Sequence, residues 1–217
     1  MRLFLLPLVS VALLGACSNG ESTARYLIDP PIGGERVANR LGTAELMDVS
    51  LPEYAASDEV AWQTGDGAVR SNTGQLWADN PQRAFTQTLA RAISDISGAT
   101  VIAEPWPLAE PPRRRLQVRV EKALAQADGI YRLSGRYFVA DDAAGGANQA
   151  RSFDISVPLA GDGDPAEIAR AQSQAIAWLA RQIAALAGPG RVITTTAPPV
   201  PRIDDLFSQP LPPLEGS

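Results

Sequence analysis

The chain has 217 residues, 45% of them hydrophobic and 20% charged, with a net charge of −5. That length allows one domain or two small ones, and that composition argues against a fully disordered chain or a multi-span membrane protein. The acidic balance argues against a nucleic-acid partner. With no His and one Cys, most metal sites, His-based triads and any intrachain disulfide are excluded, and no cofactor is expected.

The opening residues have the plan of an export signal. Arg2 supplies a short positive region, and residues 3–14 are apolar apart from Pro7 and Ser10. A bilayer-spanning helix needs about 20 residues, so this stretch is too short to be one. It runs into Leu14-Gly15-Ala16-Cys17, which resembles a bacterial lipobox. The small side chains of Gly15 and Ala16 suit a narrow cleavage pocket, and the Cys17 thiol is the nucleophile that accepts diacylglycerol. The rival readings are an ordinary signal peptide with an incidental cysteine, or a buried cysteine. The position of the chain's one cysteine, at the end of the apolar run, favours the lipobox. Residues 1–16 are thus expected to be removed. Two or three acyl chains on Cys17 exceed what stable anchoring requires. The mature chain is then a periplasmic lipoprotein. Ser18 stands where an Asp would retain a lipoprotein at the inner membrane, which implies the outer membrane. Residues 17–23 form a polar tether, and the six after Cys17 reach at most about 20 Å.

The folded domain is expected over residues 24–187. Arg25-Tyr26-Leu27-Ile28 reads as a first strand stopped by Pro30-Pro31, and residues 40–49 as a second extended run. Residues 53–56 suit a single helical turn. Val60-Ala61-Trp62 and Ala68-Val69-Arg70 read as short strands across a Gly65-Asp66-Gly67 turn. Asn80-Pro81 starts a helix, with Phe85, Leu89, Ala92, Ile93 and Ile96 at helical spacing before Gly98 ends it. Residues 100–103 form a short strand.

The strongest β signal follows. Apolar and polar residues alternate strictly over residues 116–121, and Asp128-Gly129 turns the chain back. Tyr131, Leu133, Tyr137 and Val139 then share one face, and after a loop at 141–149 so do Phe153, Ile155, Val157 and Leu159. These three strands are predicted to form an antiparallel meander. Asp164-Pro165-Ala166-Glu167 caps a second helix, with Glu167 reaching back, whose stripe is Ile168, Ala175, Leu179, Ile183 and Leu186. The predicted fold class is α/β: a single mixed, largely antiparallel sheet packed with two long helices. Residues 188–217 are rich in proline and lack hydrophobic periodicity. They read as a disordered tail extending to about 90 Å, broken by one apolar island at Ile203-Asp204-Asp205-Leu206-Phe207.

No catalytic or metal constellation stands out. Gly161-Asp162-Gly163-Asp164 lacks the further ligands of a calcium loop and reads as a turn plus helix cap. Asp141-Asp142 reads as a solvated turn. A Ser acting with Lys122 is the one hydrolase reading, and no Ser-x-x-Lys supports it. Arg113-Arg114-Arg115 reads either as a strand entry pairing with carboxylates or as a contact to an acidic surface or lipid headgroups. Trp62, Trp77, Trp106 and Trp178 all suit the core or its margin before any ligand contact. Trp77 and Trp106 fall in loops and are, with Arg113, Arg114 and Arg115, the candidate partner interface.

Several stretches together resemble one family, the auxiliary lipoproteins of ABC-type and mammalian-cell-entry (MCE) lipid transport systems, of the PqiC/YmbA type. They are Tyr26-Leu27-Ile28, Val49-Ser50-Leu51-Pro52-Glu53-Tyr54, Asp58-Glu59-Val60-Ala61-Trp62 and Leu76-Trp77-Ala78-Asp79-Asn80-Pro81. Val101-Ile102-Ala103-Glu104-Pro105-Trp106-Pro107, Leu133-Ser134-Gly135-Arg136-Tyr137-Phe138 and the second helix complete the set. The resemblance implies an α/β sandwich with no catalytic residues, a homo-oligomeric ring, and a place on the periplasmic face of the outer membrane. Its implied partners are an MCE-domain protein and the permease and ATPase of the transporter. The proline-rich tail departs from the family pattern and fits a rival reading, a lipoprotein regulator of cell-wall synthesis.

Overall fold

The computed structural model describes residues 23–31, 33–141, 146–160 and 163–194. Cys17, Leu14, Gly15 and Ala16 lie outside the described residues, as does the tail from residue 195. The elements run β1 (Ala24–Tyr26), β2 (Thr43–Leu46), α1 (Glu53–Ala56), β3 (Trp62–Gln63), β4 (Val69–Arg70), β5 (Gln75–Trp77), α2 (Pro81–Ser97), β6 (Thr100–Ala103), β7 (Arg114–Ala125), β8 (Ile130–Asp141), β9 (Ala147–Pro158), α3 (Pro165–Ala184) and β10 (Gly190–Thr194).

The alternating stretch builds the centre. β7, β8 and β9 pair antiparallel, and the sheet order is β10-β9-β8-β7-β2-β6. At β7 the sheet changes character: β2 joins β7 in parallel, and β6 joins β2 in parallel. The β3–β4 hairpin hangs on the far end of β7, where Trp62 pairs with Ala125. β1 and β5 form a separate parallel pair. Leu116, Val118, Leu133, Tyr137, Val139, Phe153, Ile155 and Val157 are all buried on one face. A bulge between Val120 and Lys122 interrupts the β7–β8 register.

The two long helices cover that apolar face. Asn80 caps α2, its Oδ1 accepting the Arg83 N–H at 3.0 Å, and Gly98 ends it in the left-handed region at φ 69°. Phe85, Leu89 and Ile93 of α2 and Ala175, Leu179 and Ile183 of α3 are buried against the sheet and each other. Asp164 caps α3 through the Glu167 N–H at 2.8 Å. The Glu167 carboxylate pairs with Arg170 instead of reaching back to the cap. Across the helix layer runs the segment after β1. The Asp29 N–H donates to Ser173 Oγ at 3.0 Å, Arg91 pairs with Asp29 at 2.9 Å, and the Val37 N–H donates to the Ile96 carbonyl.

Two buried tyrosines tie α3 to the sheet. Tyr131 donates to Gln172 Oε1 at 3.0 Å, and Tyr137 donates to the Ala187 carbonyl just past the helix. Burial pushes the Tyr137 hydroxyl up to about 12. A raised phenol favours the neutral form in the fold. Its contribution is therefore complete below the unfolded value near 10 and is lost as pH rises through about 12. Tyr137→Phe is expected to cost about 1 kcal/mol at neutral pH and to flatten the stability loss between pH 10 and 12. Urea melts across that pH range check this, and an unchanged slope would contradict it.

The predicted fold class stands, with local corrections. The first strand is 24–26 rather than 25–28, because Ile28 turns into the core beside Pro30. β9 begins at Ala147, inside the stretch read as a loop, because Asn148 and Gln149 pair with β10 and β8 without needing an apolar face. The tail read from residue 188 gives up Gly190–Thr194 to an edge strand against β9, where Val192 and Ile193 suit extended backbone. β5 carries Trp77, which the sequence placed in a loop.

The described chain begins and ends at opposite ends of the sheet. Arg25 and Tyr26 lie beside Ala166 and Ala169, at the start of α3. Thr194 lies opposite Ala147, at the other end of β9. Eleven strand steps separate the two ends, about 36 Å.

Candidate partner interface

The helices leave one face of the sheet uncovered. Register assigns its residues. Gln117, Phe138, Ala150 and Arg191 form one row across β7, β8, β9 and β10, and Arg119, Arg136 and Ser152 form the next. Beyond the bulge come Lys122, Ser134 and Asp154, then Arg132 and Ser156 beside Leu124, which is itself buried. Glu45 and Arg115 sit at the head of this face on β2 and β7.

This face is basic in an acidic chain. Arg119 lies over the Phe138 ring, 5.5 Å from its centroid, and donates to Gln117 Oε1 at 3.3 Å. Arg136 meets Glu121 at 3.6 Å with both side chains about two-thirds exposed, so this pair contributes little. Arg132 pairs with Asp128 at 3.0 Å and holds that carboxyl below its ordinary range by hydrogen bonding. Among the described residues, no carboxylate pairs with Arg119, Lys122 or Arg191. Arginine around an aromatic ring is the composition of an interface centre rather than of an ordinary solvated surface.

The predicted interface residues scatter. Trp77 is 5% exposed and belongs to the core, because β5 pairs with β1 and turns the indole inward. Trp106 sits in the loop after β6. Its backbone N–H donates to Glu45 Oε1 at 2.9 Å and its Nε1–H to the Glu110 carbonyl at 2.7 Å, which holds the indole at the margin of the uncovered face. Arg113 is exposed, and its N–H donates to Thr43 Oγ1. Arg115 approaches Glu45 at 4.0 Å on the uncovered face.

Arg114 is structural. It pairs with Asp141 at 3.0 Å, with side-chain exposures of 17% and 7%, and donates to the Arg40 and Leu41 carbonyls. Asp141, read as part of a solvated turn, is therefore a partly buried partner. Arg114→Ala is expected to cost about 2 kcal/mol, because it removes an ion pair from a partly buried carboxylate and the donor of the Arg40 and Leu41 carbonyls. Chemical denaturation measures this, and a change below 0.5 kcal/mol would mean that the pair is solvated after all.

Arg119, Arg136, Arg191 and Phe138 were not singled out in the sequence. The alternation over residues 116–121 marks Arg119 as pointing away from the core, and nothing in it marks Phe138 or Arg191. Lys122 stands opposite Ser134, but no hydrogen bond joins them. Among the described residues, no group of three or more His, Cys, Asp or Glu could hold a metal, and no helix is long and apolar enough to cross a membrane.

The family model for the ABC-type transport auxiliary lipoprotein component matches residues 26–184. The chain belongs to this family. As an auxiliary lipoprotein it shares its fold with two crystal structures. One, of an uncharacterized protein, is 23% identical with a TM-score of 0.61, covering 75% of this chain and 97% of that one. The other, a DUF330-family protein from Xanthomonas campestris, is 14% identical with a TM-score of 0.60, covering 76% and 94%. At these identities the likeness concerns the fold alone. A comparison with curated proteins finds no match. The family match begins within β1 and closes with α3, so the uncovered face of β7, β8 and β9 is part of the auxiliary-lipoprotein domain itself.

Proposed function

We propose that this auxiliary lipoprotein is held by acylated Cys17 on the periplasmic face of the outer membrane. There it forms a homo-oligomeric ring that docks the periplasmic tunnel of an MCE-type lipid transporter. It acts without catalysis, by placing a binding face. The family match over residues 26–184 supports an auxiliary lipoprotein of an ABC-type transporter, and this reading extends it. Two physical facts support the geometry. From an acylated Cys17 the next six residues would reach at most about 20 Å, which would raise the local concentration of the docking face. The uncovered sheet face offers arginine and aromatic side chains.

Crosslinking followed by affinity capture, with the full chain as bait in its native cell, tests the proposal. Recovery of an MCE-domain protein with the permease or ATPase is expected. Arg119→Glu should reduce that recovery without releasing the protein from membranes. Recovery of cell-wall synthases in their place would favour the regulator reading.

A further inference from the structure

The geometry points to the chain's own acidic–apolar island as an occupant of the uncovered sheet face. In this arrangement Ile203-Asp204-Asp205-Leu206-Phe207 folds back over β7, β8 and β9. This goes beyond the transport reading and holds whatever partner the protein has.

Three observations meet here. The first is charge. Arg119 and Arg191 have no carboxylate partner among the described residues, and Arg136 has only an exposed one in Glu121. Asp204 and Asp205 carry the complementary sign. The second is apolar contact. Phe138 and Ala150 adjoin on this face, and a peptide that brackets two carboxylates with Ile203 on one side and Leu206 and Phe207 on the other can cover them.

The third is reach. Thr194 pairs with Ala147, on the strand that edges this face. From there the Arg119–Arg136–Ser152 row lies five residues along and three strands across, about 22 Å away. Residues 195–203, with Pro198, Pro199 and Pro201, span about 28 Å in polyproline geometry. β10 runs away from this row, from Gly190 opposite Arg151 to Thr194 opposite Ala147, so the linker must turn back at its start and then has little length to spare, which favours its own chain over a neighbour. Arg191, in the neighbouring row beside Ala150, adds one more cation next to the linker's path. The tail then covers the same surface that an outside partner would use, and such a partner must displace it.

The test is a photocrosslinker in the full chain, Phe207→benzoylphenylalanine, in detergent micelles. The sample mixes isotopically light and heavy protein. Crosslinks within one chain to peptides of β7, β8 or β9 are expected, with yield falling as salt rises. Arg119→Glu with Arg136→Glu should lower the yield about fivefold. Adding Asp204→Lys and Asp205→Lys to that variant should restore it, which a merely unfolded face could not do. Crosslinks to the helix side, crosslinks only between chains, or no crosslink overturn the proposal. So does a reversed pair that the charge swap leaves unrescued. Failure to capture an MCE-domain protein would leave these crosslinks unchanged, so the two readings fail separately.

Discussion

Gly135→Ala is expected to cost about 3 kcal/mol or more, at or beyond the upper end for overpacked cores. It should leave much of the protein unfolded at moderate temperature. Gly135 sits in β8, between β7 and β9, opposite Val120 at the edge of the bulge. A Cβ built there falls 2.1 Å from the Arg119 carbonyl oxygen, 3.0 Å from the Val120 Cα and 3.0 Å from the Phe153 ring. The ring can swing aside. The two backbone atoms cannot, because here β7 is held on both sides, by β8 and by the Ser50 bridge, where the Val120 N–H donates to the Ser50 carbonyl. The strands must therefore part or the bulge must move. Urea unfolding of the purified protein measures the loss. Phe153→Leu should recover only the smaller part, because it relieves the ring and not the backbone collision. A midpoint unchanged by Gly135→Ala would show that the bulge relaxes freely.

Cys17→Ser is expected to abolish acylation altogether. Each buried CH₂ contributes about 0.8 kcal/mol, and one chain alone gives only marginal binding, so removing the acceptor thiol removes two or three chains at once. A serine hydroxyl cannot form the thioether. The variant should take up no labelled palmitate, keep its first 16 residues, and wash from membranes with alkaline carbonate. The apolar run at 3–14 is too short to replace the anchor as a stable span. Palmitate incorporation by the variant would refute the lipobox reading. Arg119→Glu serves as a control, since it should leave acylation intact.

The parts of the fold that could be read in advance are those whose information is local. The β7–β8–β9 meander follows from alternation, and α2 and α3 follow from caps and helical spacing. The parts that could not be read depend on distant partners. β5 is three residues long and exists because β1 lies beside it, so its tryptophan gave no sign of turning inward. Arg113, Arg114 and Arg115 looked equivalent in sequence. Register sends Arg114 to Asp141 and Arg115 to the open face, a difference of one residue in a structure of period two. The site suffered from the same blindness. Arg119 and Arg136 are ordinary polar positions until the helices are known to occupy the other face and Phe138 is known to sit beneath Arg119.

The change of direction at β7 also sets an order of events for the newborn chain. β7, β8 and β9 need only two hairpin connections to pair. β2 and β6 lie earlier in the chain, yet their place in the sheet is defined by residues 114–116 of β7. Long loops must close before such parallel pairings form, and that is slow. The amino-terminal half therefore waits, with Leu46 and Val49 uncovered, for a template that is made after it. Pulse-labelled hydrogen exchange during refolding should protect β8 and β9 before β2; the reverse order would argue against this. If the carboxy-terminal meander forms first, the interval before residue 141 is available is the period in which the apolar residues of the first half are most exposed to aggregation.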